Sequence, residues 1–231
     1  MRLLLVGYGK MGQLVGELAR EFDCEVAGIV DPHSSAGTGP IDDPRWDGVD
    51  VAVDFSSPNA VVHNVPVLAK RRIAMVLGTT GWQAHEAELR TAVSDAGTGI
   101  VAAPNFSTGV VLFESIVAHA AKLFASQEAF GAWLYEAHHS AKKDAPSGTA
   151  LKLKRAMEEA GYHRPVDVAA SRAGFIPGTH TIGFDGPSES ITLTHTARDR
   201  GGFARGALTA ARWIKGRAGW FTMQDVLGLT K

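Results

Sequence analysis

The sequence predicts an α/β protein in two parts: a parallel sheet covered by helices on both faces, and a smaller α+β domain on a mixed, open sheet. Three observations predict it. The first hundred or so residues alternate short apolar runs, bounded by Gly, Pro and Asp, with amphipathic stretches, the pattern of a covered parallel sheet. Gly7, Gly9 and Gly12 follow directly on the first apolar run, Leu3–Val6. After Asn105 the rhythm changes to long helices separated by alternating strands.

Taken in order, strands are expected at Arg2–Val6, Glu25–Val30, Val49–Phe55, Ile73–Leu77 and Gly99–Ala103. Helices are expected between them at Lys10–Glu21, Asn59–Lys70 and Ala84–Ala96. Thr108–Phe124 then reads as a long helix with Val111, Ile116, Ala120 and Leu123 among its apolar positions. Ala132–Ala137 alternates as a strand, with Trp133 and Tyr135 on one face and Leu134 and Glu136 on the other. Ser147–Ala160 is a helix begun by Pro146-Ser147 and stopped at Gly161. Ser190–Thr196 is the clearest alternating strand, Thr-rich and wetted on one face, and Phe203–Lys215 is a final helix. Arg164–Pro187, with its glycines and prolines, reads as a long connection. A second domain therefore covers 107–205.

Composition narrows the function. Lys and Arg number 23 against 24 Asp and Glu, so no global charge favours nucleic acid or an anionic membrane, and neither is expected as a partner. A positive site for an anion must then be local. The single cysteine, Cys24, permits no internal disulfide and no Cys-based zinc site, which suits a reducing cytoplasm, the expected location. The N-terminal apolar run is too short for a signal-peptide core, and no later stretch reaches membrane-spanning length.

The segment Gly7-Tyr8-Gly9-Lys10-Met11-Gly12 matches G-x-G-x-x-G without a gap, after a strand and before a helix. In such a loop the first glycine makes the turn, the second admits a pyrophosphate to the backbone, and the third lets helix pack on sheet. The pyrophosphate is then held by the N–H groups of the helix N-terminus. Asp31 ends the next strand, nineteen positions after Gly12, where a carboxylate accepts from the adenosine ribose hydroxyls. The first domain is thus expected to be Rossmann-like. An acid at the ribose edge repels a 2′-phosphate, and Pro32 and His33 stand where an arginine clamp would, so NADH is favoured over NADPH. Gly78-Thr79-Thr80-Gly81 and Ala103-Pro104-Asn105-Phe106 follow the fourth and fifth strands, at the carboxyl ends where ligands of open parallel sheets bind.

Glu136–Ala150, EAHHSAKKDAPSGTA, holds the densest chemistry in the chain. His138 and His139 leave a strand end beside Lys142 and Lys143, a setting for proton transfer. Asp144 is not at familiar ligand spacing, so no metal is expected. Pro146-Ser147-Gly148-Thr149 starts a helix: Ser147 can cap it, and Gly148 leaves the following amides uncovered for an anion. A lysine near that N-terminus is pushed towards its neutral form and can donate a proton.

These fifteen residues resemble the signature of the 4-hydroxy-tetrahydrodipicolinate reductase (dihydrodipicolinate reductase) family, of the diaminopimelate route to lysine. The GYGKMG, GTTG and APNF loops, Arg172-Ala173-Gly174 and Asp225-Val226-Leu227 stand in the same order as in the family. The resemblance implies NAD(P)H-dependent reduction of 4-hydroxy-tetrahydrodipicolinate, a dianionic cyclic imine dicarboxylate, with loss of water. It implies His138 as general acid, Lys142 as catalytic lysine, and His139, Ser147, Gly148 and Thr149 as contacts to the substrate carboxylate. It implies cofactor contacts from Gly7 to Gly12, Asp31, Gly78 to Thr80 and Ala103 to Phe106. It also implies a homotetramer built through 107–205, with 206–231 returning to the cofactor domain of 1–106. The chain departs from the pattern in trimmed connections around Ser34–Pro44 and Arg164–Val168. It departs also at Ser140 and Ala141, where relatives often carry basic residues, which thins the positive field on the substrate.

Two domains allow a hinge near Asn105–Thr108 and Phe203–Gly206 that closes over both ligands. Two rival readings are an amino-acid dehydrogenase of the aspartate dehydrogenase kind, and a non-catalytic dinucleotide sensor. Against the first, the Pro-Ser-Gly-Thr anchor argues for the dicarboxylate imine, and an assay separates the two; the second has no need of His138 and Lys142.

Overall fold

A computed structural model describes residues 1–230, and the chain divides into two compact units. Unit 1 comprises Met1–Thr108 and the chain from Gly201 onward; unit 2 is Gly109–Arg200. The return to unit 1 begins at Gly201 and not at 206, because one helix, Gly201–Ile214, belongs to it as a whole.

Unit 1 is a six-stranded, all-parallel sheet. Its strands are β1 (Arg2–Val6), β2 (Glu25–Val30), β3 (Val51–Asp54), β4 (Ala74–Leu77), β5 (Gly99–Ala102) and β10 (Gly219–Phe221), in the order β10-β5-β4-β3-β1-β2. β3 and β4 are buried along their whole length, which demands cover on both faces. Helix α1 (Lys10–Leu18) packs with α6 (Gly201–Ile214), and α2 (Pro58–Lys70) with α3 (Glu86–Asp95). Sequence chemistry sets their ends: Ser57 caps α2 by accepting from the Ala60 N–H, and Pro58 occupies the first turn. The expected helix over Lys10–Glu21 tightens into a 3₁₀ turn at Ala19, and Asp23 closes it in the left-handed region. β10 and a one-turn helix, α7 (Met223–Val226), were not expected.

Unit 2 is a mixed four-stranded sheet, ordered β7-β6-β8-β9, with α4 (Thr108–Phe124) and α5 (Gly148–Glu159). β6 is Gly131–His138 and β9 is Ser190–Thr196. The reading of Arg164–Pro187 as a connection is corrected: it contains β7 (Val166–Arg172) and β8 (Thr179–Asp185). β7 pairs parallel with β6, and β8 pairs antiparallel with both β6 and β9. Registers divide the sheet cleanly. Val166, Ala132, Leu134, Ile182, Phe184 and the half-buried Val168 and Leu193 join α4 and α5 in the core. The row beyond them on that face is Glu136, His180 and His195, and the next is His138 and Arg172. The helix-covered face thus turns from apolar to ionisable towards the C-terminal end of β6.

Candidate active site

The end of β1 builds the dinucleotide loop. Gly7 has φ +85°, and a Cβ there would lie 2.5 Å from the Phe55 carbonyl oxygen, so only glycine makes this turn. A Cβ on Gly12 would meet the Gly7 oxygen at 2.1 Å, whereas one on Gly9 would meet nothing within 4 Å. The loop is therefore tight against the sheet at its ends and open at its middle. Gly9 is the N-cap of α1 and supplies no side-chain acceptor to the first N–H groups.

The strand order reverses between β1 and β3, and the crevice of such a fold opens at that point beyond the strand ends. A cavity of about 830 Å³ lies there, lined by Gly7, Gly9, Asp31, His33 and the Phe55-Ser56-Ser57 turn. Its neighbour of about 510 Å³ is lined by Gly9, Lys10, Met11, Ser56 and Gly78-Thr79-Thr80. Asp31 accepts from the Tyr8 N–H at 2.7 Å and the His33 N–H at 2.8 Å. The Tyr8 bond above all holds the Asp31 carboxyl below its usual range, so it is ionised at neutral pH. These residues fit a dinucleotide: an open amide turn for the pyrophosphate and a fixed carboxylate at the ribose edge.

Ala103–Phe106 lines neither cavity. Its first N–H donates to the Leu77 carbonyl at 3.1 Å, which sets it beside the Gly78 turn, and the Phe106 side chain is buried edge-on to Phe55. Phe106 has only backbone to offer a ligand.

Sequence reasoning missed Asp54 and the Phe55-Ser56-Ser57 turn. Asp54 is buried at the end of β3 and accepts from Ser56, Asn64 and Thr79 at 2.7 to 3.0 Å. The Trp82 indole N–H donates to the Thr79 carbonyl at 2.7 Å. Thr79 is thereby fixed from both ends, its hydroxyl turned inward, while Thr80 stays exposed. A carboxylate closing a fully apolar strand at the ligand-binding edge was the available signal.

In unit 2 the predicted residues gather at the end of β6. Glu136 is wholly buried. It accepts from Arg172 Nη2 at 2.7 Å and Nη1 at 3.0 Å, from the Ser147 N–H at 3.0 Å, and from His138 Nδ1. Burial alone would raise the Glu136 carboxyl, but Arg172, His138 and the Ser147 amide outweigh it and hold it low. Burial lowers the His138 imidazole, and the charges of Lys142 and Arg172 lower it further against the pull of Glu136. His180 is pushed down to about 4, chiefly by burial and then by His138. Its ring stands edge-on to His138, with centroids 5.2 Å apart.

Ser147 caps α5, accepting from the Ala150 N–H at 3.2 Å, and its hydroxyl is buried 3.1 Å from His180 Nε2. Gly148 is exposed and Thr149 half-buried at the start of α5. Lys142 lies 2.8 Å from Asp144, which also accepts weakly from the Gly148 N–H at 3.4 Å. His139 is half-buried, and its carbonyl accepts from the Lys142 N–H at 3.1 Å. Glu136, His138 and His180 place one potential metal donor each within 4.8 Å of one another. Both Glu136 oxygens already accept from N–H donors, and the Arg172 guanidinium opposes a second cation, so the cluster reads as a hydrogen-bonded network. Glu136 was legible as a charged residue on the core side of an alternating strand.

The family model described as "Dihydrodipicolinate reductase, N-terminus" matches residues 1–106, and "Dihydrodipicolinate reductase, C-terminus" matches 109–227. The 4-hydroxy-tetrahydrodipicolinate reductase of Christiangramia forsetii is 34% identical, over 98% of each chain. That of Bartonella quintana is 37% identical, over 99% of this chain and 98% of its own. A solved structure, dipicolinate-bound dihydrodipicolinate reductase from Paenisporosarcina sp. TG-14, superposes with a TM-score of 0.84 at 21% identity. It covers 97% of this chain and 98% of its own, and it shows the shared fold. On the family models and the near full-length relatives together, the chain belongs to the dihydrodipicolinate reductase family.

Proposed function

We propose that this protein reduces 4-hydroxy-tetrahydrodipicolinate to tetrahydrodipicolinate, with loss of water, using a reduced nicotinamide dinucleotide and NADH in preference to NADPH. The observation that carries the reading is the end of β6, where an imidazole, an ammonium and an open helix start follow within twelve residues. The 4-hydroxyl leaves as water with a ring proton, and the cofactor, when bound at the glycine loop, would supply a hydride to the resulting unsaturated ring. Reduction leaves electron density on the ring, and His138 with Lys142 supplies the proton that quenches it. Such general acid help is worth roughly a hundred- to ten-thousand-fold. Gly148 and Thr149 amides, with His139, anchor a carboxylate that the α5 N-terminus favours. His138 sits below the ordinary imidazole range in the free protein. It gains its proton as the dianion arrives, because a negative charge beside it favours the charged form.

Cofactor preference rests on Asp31 and its surroundings. Residues 31–41 contain no Lys or Arg, and Arg45, the nearest along the chain, is held by Asp43. Assembly as a homotetramer through unit 2 rests on the open sheet face, where Tyr135 is 40% exposed. No helix among the described residues is long and apolar enough to cross a membrane, and a cytoplasmic location fits the lone Cys24.

The test is loss of NADH absorbance with the freshly made aldehyde–pyruvate condensation product, repeated with NADPH. Oxidation with NADH favoured is expected, and His138→Gln and Lys142→Ala each lower kcat at least a hundredfold. Full activity in either variant removes that residue from the mechanism. NADH binding without oxidation leaves a dinucleotide sensor.

A further inference from the structure

We infer that Glu136 is the positioning residue of the proton donor: it fixes the tautomer and orientation of His138 and ties that imidazole to the anion-binding start of α5. The inference rests on the proposed role of His138 as general acid.

Glu136 is 0% exposed and sits on β6 two residues before His138, so both side chains rise from the same face. One carboxylate oxygen accepts from His138 Nδ1, and the other accepts from the Ser147 N–H at 3.0 Å. An ionised carboxylate can only accept, so His138 carries a proton on Nδ1, and Nε2 is the nitrogen that takes up and gives the mobile proton. The Nε2 edge is bordered by Gly178, where a Cβ would stand 3.2 Å away. A side chain there would crowd the reactive nitrogen; glycine leaves it clear.

A buried carboxylate needs compensation, and Arg172 supplies it from the neighbouring strand with two hydrogen bonds. Arg172 stands directly opposite His138 in the β6–β7 register. It donates also to the Asp144 carbonyl, so the same guanidinium braces the loop that carries Lys142. The arrangement thus joins donor, lysine loop and substrate anchor through one carboxylate. A carboxylate on the far nitrogen of an imidazole orients the ring and stabilises its protonated form.

The charged and titratable groups facing His138 are Glu136 on its own strand, Arg172 from β7, His180 from β8 and Lys142 from the following loop. Of these only Glu136 favours the imidazolium. Glu136→Gln keeps the shape and removes the charge. The proton on Nε2 is then lost at lower pH, so the alkaline limb of the kcat profile moves to lower pH.

The experiment compares the wild type, Glu136→Gln and His138→Gln with NADH and freshly generated substrate across pH, with NADH binding measured separately. Glu136→Gln is expected to lower kcat at neutral pH at least tenfold, to move the limb down by about one pH unit or more, and to leave NADH affinity unchanged. An unshifted limb overturns the inference even if kcat falls, since loss of packing alone does not move it. Full activity in His138→Gln overturns the underlying reading instead. Should Glu136→Gln not fold, ¹⁵N-histidine spectra of the wild-type protein decide the matter. Neutral His138 is expected with its proton on Nδ1, and a proton on Nε2 overturns the inference.

Discussion

Folding alters the ionisation of His180 strongly. Its imidazole is 5% exposed, Nε2 meets the Ser147 hydroxyl, and Nδ1 finds no hydrogen-bond partner among the described residues. Its folded value is about 4 against an ordinary 6.5, so below 6.5 the unfolded chain binds a proton that the folded one refuses. Stability therefore falls as pH drops from about 6.5 to about 4, by on the order of 3 kcal/mol in total. His180→Gln is expected to flatten that slope in urea melts taken at successive pH values, and an unchanged slope would falsify the assignment. Asp31 gives a second residue-scale outcome. On the proposed cofactor preference, Asp31→Ser takes away the charge that would repel a 2′-phosphate, and the ratio of kcat/KM for NADPH to that for NADH should rise at least tenfold. It also replaces the charged acceptor of the Tyr8 N–H by a shorter, neutral one, so NADH affinity itself should fall. At this scale the candidate groups were visible in the sequence, because His138, Lys142 and the Pro-Ser-Gly-Thr start fall within one short segment. Arg172 was not legible as part of the site, since it joins Glu136 only through strand pairing across 36 residues.

The loop between β1 and α1 shows why three glycines in one element are not equivalent. Gly12→Ala drives a Cβ into the Gly7 carbonyl oxygen, backbone against backbone, with no flexible side chain to yield. A loss of about 1–3 kcal/mol in stability is expected, read by chemical denaturation. Gly9→Ala meets nothing within 4 Å, so the free protein should melt close to wild type. Its NADH affinity should nevertheless fall at least tenfold, because on the proposed binding mode the added methyl would stand where the pyrophosphate approaches the backbone. Equal melting of the two variants would show the loop to be more pliant than this geometry. Among the elements, the unit 1 strands were legible because they are apolar on both faces, as in Leu3–Val6 and Ala74–Leu77. β7 and β8 were not. β7 is built from Asp, Ala and Ser between its valines and Arg172, and β8 interrupts His180, Ile182 and Phe184 with threonine and glycine. Gly183 is required by a partner fifty residues earlier: a Cβ would lie 2.2 Å from the Trp133 indole. No local pattern announces such a constraint.

For the whole molecule, the proposed tetramer rests on the open face of the unit 2 sheet. Tyr135, Thr181 and Thr194 are consecutive across β6, β8 and β9 in the register, with the two threonine hydroxyls 3.0 Å apart. Thr179 and Thr196 form a second such rung at 3.1 Å. α4 and α5 pack with the opposite face through Leu134, Ile182 and Phe184, so among the described residues of unit 2 neither helix covers this threonine–aromatic face. Thr-rich strands keep hydrogen-bonding capacity on a surface and still present methyl groups, and an exposed aromatic among them suits a sheet-to-sheet contact. In a closed homo-oligomer with twofold axes, a substitution on such a face is repeated in the facing copy. Tyr135→Arg therefore sets guanidinium against guanidinium while leaving the core side of β6 untouched. Light scattering on a sizing column should give the wild type at four times the 24.5 kDa chain mass and the variant at one or two chains. The variant should keep its thermal transition within a few degrees if the face serves assembly alone. A wild type that runs as a monomer at micromolar concentration would remove the tetramer, and a Tyr135→Arg tetramer would place its interface on another surface.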